Sequence, residues 1–233
     1  IAPRESRQLK EAMINRGVGD PYLHVLLPDL NRRDKKILIT AGFLSFKQET
    51  RKNPQWFWPP ETALDYETLE VLAEVGYKGV LCAPEQITGL RVIVDNKPII
   101  VKLQKGRQIT LLPFDRPLSS SMAFADKSNA DAYAWGTVVP RIEQLPKSVP
   151  LIGWTDGETF GHHAKMAEYF LQYLLTDSLP NAGITLLSIN DLPEVWERKD
   201  YIEGKLRERT AWSCPHGNLT RWHGPCPCDG GYH

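Results

Sequence analysis

The sequence predicts an α/β fold, because short apolar strands alternate with amphipathic helices along most of its 233 residues. A clear example is the strand 56–58, which is followed by a helix at 66–75 and a second strand at 79–83. The connections between these segments are short, which favours parallel strand pairing with right-handed crossovers. A chain of this length can form one large domain, or one domain with a small appendage.

Helices are predicted from apolar spacing and from residues that start or stop a helix. Asp65 has the position of an N-cap and Gly76 that of a C-terminal stop, so a helix is expected between them. Pro54 ends an earlier helical pattern, and Gly136 interrupts a later one. Asn190 or Asp191 is expected to cap a helix with a proline in its first turn. The four longer predicted helices are 31–52, 66–75, 129–145 and 164–175.

Strands are predicted from short runs of apolar and β-branched residues. The segment 91–103 has an Asp-Asn-Lys turn between two such runs and predicts a β-hairpin insertion. Met166, Phe170 and Leu174 share one helix face, which is expected to pack on the sheet. The predicted strands outside the hairpin are 22–28, 56–58, 79–83, 108–114, 150–154 and 184–189.

Composition narrows the possible partners. The formal net charge is zero and the charges are interspersed, which argues against a nucleic-acid or anionic-membrane surface. No apolar run reaches membrane-spanning length, and the first ten residues contain no signal-peptide core. Three of the four cysteines lie near the C-terminus, unlike a secreted disulfide framework, so a cytoplasmic location is expected.

The first candidate catalytic residue is Glu61, in the run W-F-W-P-P-E-T-A-L-D. It follows a short strand and precedes a helix, the position where catalytic side chains collect in barrel-like α/β folds. Trp56, Trp58 and two rigid prolines would hold this carboxylate in place, as nucleophilic or acid/base chemistry requires. A solvated surface glutamate beside core aromatics is the alternative.

A second cluster lies in W-T-D-G-E-T-F-G-H-H, also between a predicted strand and a helix. Asp156 is a candidate general acid that would work opposite Glu61 on a glycosidic bond. Alternatively, Asp156, His162 and His163 are metal ligands for a hydrolytic water. In a third interpretation the loop is structural, and its acids, including Glu158, cap the next helix.

The C-terminal tail is rich in cysteine and histidine, and four of these residues are candidate zinc ligands. The C-x-C spacing differs from the usual C-x₂-C knuckle, so reduced thiols or one local disulfide remain as alternatives. Trp212 and Trp222 are expected to pack the tail onto the barrel. The candidate ligands are Cys214, His216, Cys226 and Cys228.

Three blocks taken together resemble glycoside hydrolase family 57, particularly its bacterial α-amylase/α-mannosidase-like branch. These blocks are W-F-W-P-P-E-T-A-L-D-Y-E-T-L, T-D-G-E-T-F-G-H-H and E-R-T-A-W-S-C-P-H-G. The resemblance implies an incomplete (β/α)₇ TIM-like barrel that acts on α-glucan-like carbohydrate and requires no cofactor. It also implies a barrel domain at 1–209 and a Cys/His-rich tail at 210–233.

The resemblance further implies a role for individual residues. Glu61 matches the family's nucleophile and Asp156 its general acid/base, and a retaining mechanism would bring their carboxyl groups to about 5–5.5 Å. His24, in H-V-L-L-P, would line a sugar subsite, and Trp58 would stack on a pyranose ring. The expected hydroxyl-binding or supporting residues are Glu158, His162 and His163.

One departure concerns the family's first, His-rich block, which is missing here; the chain is expected to begin after it. The missing block leaves a non-catalytic carbohydrate-binding remnant as one alternative to a retaining glycoside hydrolase or glucanotransferase. A metal-dependent polysaccharide deacetylase is a second alternative, because its barrel is of a similar type and uses Asp and His.

Overall fold

The computed structural model describes residues 11, 14, 16–89, 96–146, 149–214, 216 and 219–226. The chain divides into two compact units. The first consists of Ile1–Pro113 together with Ser188–His233, and the second of Phe114–Leu187.

The first unit contains a five-stranded sheet and a two-stranded sheet. Its strands are β1 (Trp56–Phe57), β2 (Gly79–Cys82), β3 (Ile87–Thr88), β4 (Ile99–Lys102), β5 (Gln108–Pro113), β6 (Ile202–Glu203) and β7 (Lys205–Leu206). The larger sheet has the order β1-β2-β5-β4-β6, in which β1, β2 and β5 are parallel. β4 is antiparallel to β5 and parallel to β6, while β3 pairs with β7. The parallel strands are almost entirely buried, as expected for a sheet that is covered on both faces.

Two helices of the first unit, α1 (Arg32–Thr50) and α2 (Tyr66–Val75), pack against each other. Asn31 caps α1, and its buried positions recur every three or four residues, which gives one face toward the core. Gly42 on this face is needed for close approach, because a Cβ there would lie 2.0 Å from the Asp20 carbonyl oxygen. Lys35 joins the two helices through an ion pair of 2.7 Å with Asp65, the N-cap of α2.

The second unit is mainly helical. Its helices are α3 (Arg116–Phe124), α4 (Ala130–Tyr133), α5 (Val139–Glu143), α6 (Ala167–Tyr173) and α7 (Leu179–Asn181). A π-helical turn joins α4 to α5 and another joins α6 to α7. Each turn ends two residues before a proline, Pro140 or Pro180, where an α-helix would clash with the ring and lose a hydrogen bond. At the start of α3, the buried Asp115 caps the helix and binds Arg141.

The remaining helices, α8 (Leu192–Val195) and α9 (Thr220–His223), belong to the first unit and are short. Asp191 occupies the predicted N-cap position of α8, but its side chain makes no capping bond to that helix. It accepts the Ser188 N–H instead, within the 3₁₀ turn that precedes α8. Pro193 lies in the first turn of α8, as predicted.

The α/β class with parallel strands is confirmed, and several predicted elements match closely. α2 has the predicted bounds and both predicted end signals, since Asp65 accepts the Thr68 N–H and Gly76 is left-handed. The helix predicted at 129–145 is interrupted by the π turn that contains Gly136.

Three of the predicted strands are wrong. The segment 22–28 forms no strand, and Tyr22 and Leu23 are exposed. The residue that pairs with Phe57 of β1 in parallel is Gly19, which precedes this segment. The segment 150–154 forms no strand, because Ile152 accepts the Asp115 N–H while the Trp154 N–H donates to a serine side chain. The segment 184–189 also forms no strand.

One further prediction needs correction, and another falls partly outside the described residues. Met166 has a left-handed backbone and is 66% exposed, so only the other two residues of the predicted face are buried, in a cluster with neighbouring helices of the second unit. The antiparallel pair in the predicted hairpin region is formed by β4 with β5, and its turn is Gln104–Gly106. The first arm of the predicted hairpin, 91–95, lies outside the described residues.

Candidate active site

Glu61 lies in a short 3₁₀ turn, Pro60–Thr62, directly after β1 and before α2. Pro59 and Pro60 lead into the turn, and Glu61 and Thr62 both have left-handed backbones with φ of 57° and 50°. Such conformations are costly for residues with a Cβ, and they occur where surrounding contacts fix the backbone, often at functional sites. The turn presents a half-buried carboxylate on a backbone with little freedom.

The Glu61 carboxylate is bound by side chains from the C-terminal tail. The Trp212 Nε1–H donates to Oε2 at 2.9 Å, and the Ser213 hydroxyl lies 3.4 Å from the same oxygen. The Trp212 backbone N–H also contacts this turn, at 2.8 Å from the Thr62 hydroxyl and 3.2 Å from the Glu61 carbonyl oxygen. Trp58 packs edge-to-face on Trp212, with ring centroids 5.9 Å apart. Trp58 and Trp212 therefore form one aromatic wall beside Glu61.

The fully buried side-chain amide of Gln86 connects the Glu61 turn to the C-terminal tail. The Gln86 side chain donates to the carbonyl oxygens of Thr62 and Thr210, both at 2.9 Å, and accepts the Ala83 N–H. Leu64 and Thr210 also pair as an antiparallel bridge. Because buried polar groups are strongly stabilised when each has its partner, Gln86 locks the turn and the tail to each other. Sequence reasoning missed Gln86.

His24 lies on an exposed loop, not on the buried strand predicted for it. His24 acts electrostatically on Asp20: desolvation raises the pKa of Asp20, and a backbone hydrogen bond and the charge of His24 offset part of that rise. Tyr77 contributes a buried hydroxyl near Asp20, and its pKa is raised by burial and by that carboxylate. The His24 side chain itself is exposed to solvent.

The second cluster lies in the second unit, on the loop before α6. Asp156 is half-buried and precedes a 3₁₀ turn, Gly157–Thr159, whose last N–H its backbone carbonyl oxygen accepts. Glu158 and His163 are exposed and lie 3.3 Å apart, and the rings of His162 and His163 pack edge-to-face. The acids do not cap the following helix, because α6 begins at Ala167 without a side-chain cap. This loop presents Asp156 beside exposed polar side chains.

Three of the four predicted metal ligands come together in the tail. Cys214 Sγ and Cys226 Sγ are 3.5 Å apart, and His216 Nδ1 lies 4.0 Å from the first and 3.6 Å from the second. Both cysteines are buried and His216 is exposed. Cys228 lies outside the described residues.

Trp212 and Ser213 are the contacts to Glu61 that sequence reasoning did not assign. The sequence predicted only that Trp212 packs the tail. The signal that could have identified them is their presence in E-R-T-A-W-S-C-P-H-G, which carries the family resemblance together with the block that contains Glu61.

Comparison with known proteins gives one family and a set of similar structures. Residues 12–205 match the family model described as Glycosyl hydrolase family 57. An exo-type maltose-forming amylase from Pyrococcus sp. ST04 aligns with a TM-score of 0.74 and 16% identity, covering 97% of this chain and 42% of that one. A 4-α-glucanotransferase from Thermococcus litoralis aligns with a TM-score of 0.69 and 18% identity, covering 88% and 32%. A GH57-type branching enzyme from Pyrococcus horikoshii aligns with a TM-score of 0.72 and 16% identity, covering 93% of this chain and 52% of that one.

At these low identities the structural alignments show a shared fold alone. The chain spans between 32% and 52% of the length of the three proteins. The likeness supports the predicted barrel-like α/β class. No curated protein matches the chain. Among the residues that the structure describes, no helix is long and apolar enough to cross a membrane.

Proposed function

The chain belongs to glycosyl hydrolase family 57, and on that premise we propose that it is a retaining glycoside hydrolase or glucanotransferase that acts on α-glucan-like carbohydrate. The observation that carries the proposal is the arrangement around Glu61. Its backbone is left-handed, its carboxylate accepts the Trp212 indole N–H, and Trp58 provides an aromatic surface beside it. A rigidly held carboxylate next to an aromatic wall suits attack on a sugar that stacks on that wall.

Glu61 is the nucleophile in this proposal. Both side-chain hydrogen bonds described for its carboxylate, from Trp212 and Ser213, end on Oε2. Oε1 is therefore the oxygen that attacks the anomeric carbon, while the bonds to Oε2 keep the carboxylate from rotating. The product of this step is a glycosyl ester on Glu61, with the leaving-group oxygen expelled.

Asp156 is the general acid/base. In the first step its carboxylic acid gives a proton to the leaving-group oxygen, and in the second its carboxylate takes a proton from water or from an acceptor hydroxyl. Hydrolysis and transfer differ only in which of these two acceptors reacts. The chemistry needs no cofactor, because two carboxyl groups supply both the nucleophile and the proton.

We assign substrate contacts to the remaining candidates. Trp58 provides a stacking surface for a pyranose ring, and His24 is a hydrogen-bonding group at a subsite. The exposed Glu158, His162 and His163 bind sugar hydroxyls near Asp156. We also propose a cytoplasmic location and a barrel domain at 1–209 followed by the tail at 210–233.

A metal-dependent deacetylase would need Asp156, His162 and His163 to converge as ligands. In the part of the chain that the structure describes, the group of three convergent ligand atoms is instead Cys214, His216 and Cys226. The deacetylase alternative is therefore not favoured by any feature of the Asp156 loop.

The test of this proposal uses azide with an activated α-glycosyl substrate whose leaving group needs no protonation. Glu61→Ala should lose roughly 1,000-fold or more in activity with malto-oligosaccharides, and azide should restore turnover by giving the inverted β-glycosyl azide. Asp156→Ala should lose about 100- to 10,000-fold, and azide should give the retained α-glycosyl azide.

The opposite stereochemistry of the two rescued products distinguishes nucleophile from acid/base. Glu158→Gln, in the loop of Asp156, is the matched control and should give no azide product. The assignment is wrong if Glu61→Ala or Asp156→Ala keeps wild-type turnover, or if the azide products of these two variants have the same anomeric configuration.

A further inference from the structure

We propose that Cys214, His216 and Cys226 form a zinc site that fixes the C-terminal tail against the Glu61 turn. None of these residues takes part in the chemistry proposed above. The metal site rests on its own geometry, and only its consequence for catalysis rests on the proposed function.

The three ligand atoms already have the spacing of a tetrahedral zinc ion. Zn–S bonds of about 2.3 Å and Zn–N bonds of about 2.0–2.1 Å place two sulfurs roughly 3.8 Å apart, and a sulfur and a nitrogen roughly 3.6 Å apart. The observed separations are 3.5 Å between the sulfurs, and 3.6 Å and 4.0 Å from them to His216 Nδ1. All three therefore lie within about 0.4 Å of the zinc values.

The alternative chemistries fit less well. A disulfide requires about 2.0 Å between the sulfurs, which is far shorter than the 3.5 Å observed. Simple hydrophobic packing explains two buried cysteines but not the ring nitrogen directed at both. Two thiolates with an imidazole form a donor set that favours zinc over magnesium or calcium, which prefer oxygen ligands.

The local fold shows what the ion would stabilise. Cys214 closes a tight turn in which Ala211 and Cys214 exchange backbone hydrogen bonds of 3.4 Å and 3.3 Å. Cys226 follows α9 and lies twelve positions after Cys214. Among the tail residues that the structure describes, the buried apolar group is small and consists of Ala211 and Leu219 together with Ala63. Segments with so little core commonly depend on a metal for their order.

The site is joined directly to the Glu61 contacts. Trp212 and Ser213, which bind Glu61 Oε2, immediately precede Cys214. Anchoring Cys214 to Cys226 through zinc would limit the freedom of the 211–214 turn and keep the Trp212 indole on the carboxylate. In this role the ion is structural, and it does not touch the substrate.

The first test measures zinc in the full chain after dialysis against metal-free buffer. We expect one zinc ion per chain, and background zinc in Cys214→Ser/Cys226→Ser. Cys82→Ala is the matched control, since Cys82 is also buried but lies in β2, and it should keep its zinc.

His216→Ala guards against a folding artefact, because His216 is exposed. The variant should still unfold in one cooperative thermal transition, which shows that it is folded. Its zinc binding should weaken by more than about 100-fold, because removing a direct ligand should cost more than the roughly 10- to 100-fold typical of removing a residue that only hydrogen-bonds to a ligand. Cobalt(II) in place of zinc should give thiolate-to-metal charge-transfer absorption and the visible bands of a tetrahedral ion. In addition, hydrogen exchange at 211–214 should accelerate when a chelator removes the zinc.

Three results would each overturn the site: a metal-free wild-type chain that takes up no added zinc, zinc retained by the double cysteine variant, or a Cys214–Cys226 disulfide in protein isolated without oxidants. Zinc content and exchange do not depend on turnover. An inactive chain that still holds zinc would therefore contradict the proposed function and leave the metal site standing.

Discussion

Trp212→Phe isolates the hydrogen bond that positions Glu61. The substitution removes the indole N–H, which lies 2.9 Å from Glu61 Oε2, but keeps an aromatic ring against Trp58. A hydrogen bond to a charged group contributes about 1.5–3 kcal/mol. Both partners are half-buried, so water can replace part of the bond and the lower value applies. Because about 1.4 kcal/mol corresponds to a tenfold change in rate, we expect kcat to fall about tenfold.

The assay is initial-rate kinetics on malto-oligosaccharides, with thermal unfolding measured in parallel. As a positioning residue, Trp212 should affect kcat while KM changes little, and the melting temperature should fall by no more than about 6 °C. Trp222→Phe is the matched control, since Trp222 packs on the Leu219 cluster in the same tail. If both variants retain the same activity, Trp212 does not orient the nucleophile.

Two further predictions concern the helix that follows Glu61. Lys35→Met should cost about 3–5 kcal/mol of unfolding free energy, because it leaves the buried Asp65 carboxylate without its cation. Chemical denaturation should show this loss, whereas Lys36→Met, at an exposed site, should change stability by less than about 0.5 kcal/mol. Glu208 lies at the surface and accepts the Tyr66 N–H, and partial desolvation raises its pKa, so the folded state binds this proton more tightly than the unfolded chain. That contribution to stability is present at low pH and is lost as the pH rises through the folded pKa. Glu208→Gln should therefore be more stable than wild type near about pH 7, with the difference shrinking toward about pH 4. An equal difference at both pH values would contradict this reasoning.

Local signals in the sequence predicted the helices better than the strands, and the segments 22–28 and 184–189 show why. Asp65 and Gly76 define α2 because a cap and a left-handed stop act within a few residues of chain. A strand depends on a distant partner, and the apolar run 22–28 gives no indication that Gly19 is the residue that pairs with β1. The same difficulty explains 184–189, where Leu186 and Leu187 are 48% and 49% exposed despite a strand-like pattern.

The candidate site was predictable in part for the same reason. Glu61 stood out because its aromatic and proline neighbours are adjacent in the chain. Its hydrogen-bond donor, Trp212, is 151 positions away, and the Gln86 amide that ties the Glu61 turn to the tail sits in a short polar loop after β2. Contacts of this kind are set by how the tail folds back, which no local pattern encodes. The cysteine-rich tail was an exception, since its ligand types were visible and only their convergence required the structure.

Covalent trapping tests the central claim most directly. Asp156→Ala, mixed with an α-maltosyl fluoride, can form the glycosyl intermediate without an acid but hydrolyses it slowly without a base. Mass spectrometry should show one added glycosyl unit on the tryptic peptide 53–78, with fragmentation placing it on Glu61. A label on any other residue, or turnover of the fluoride with no labelled protein, would contradict a glycosyl ester on this carboxylate.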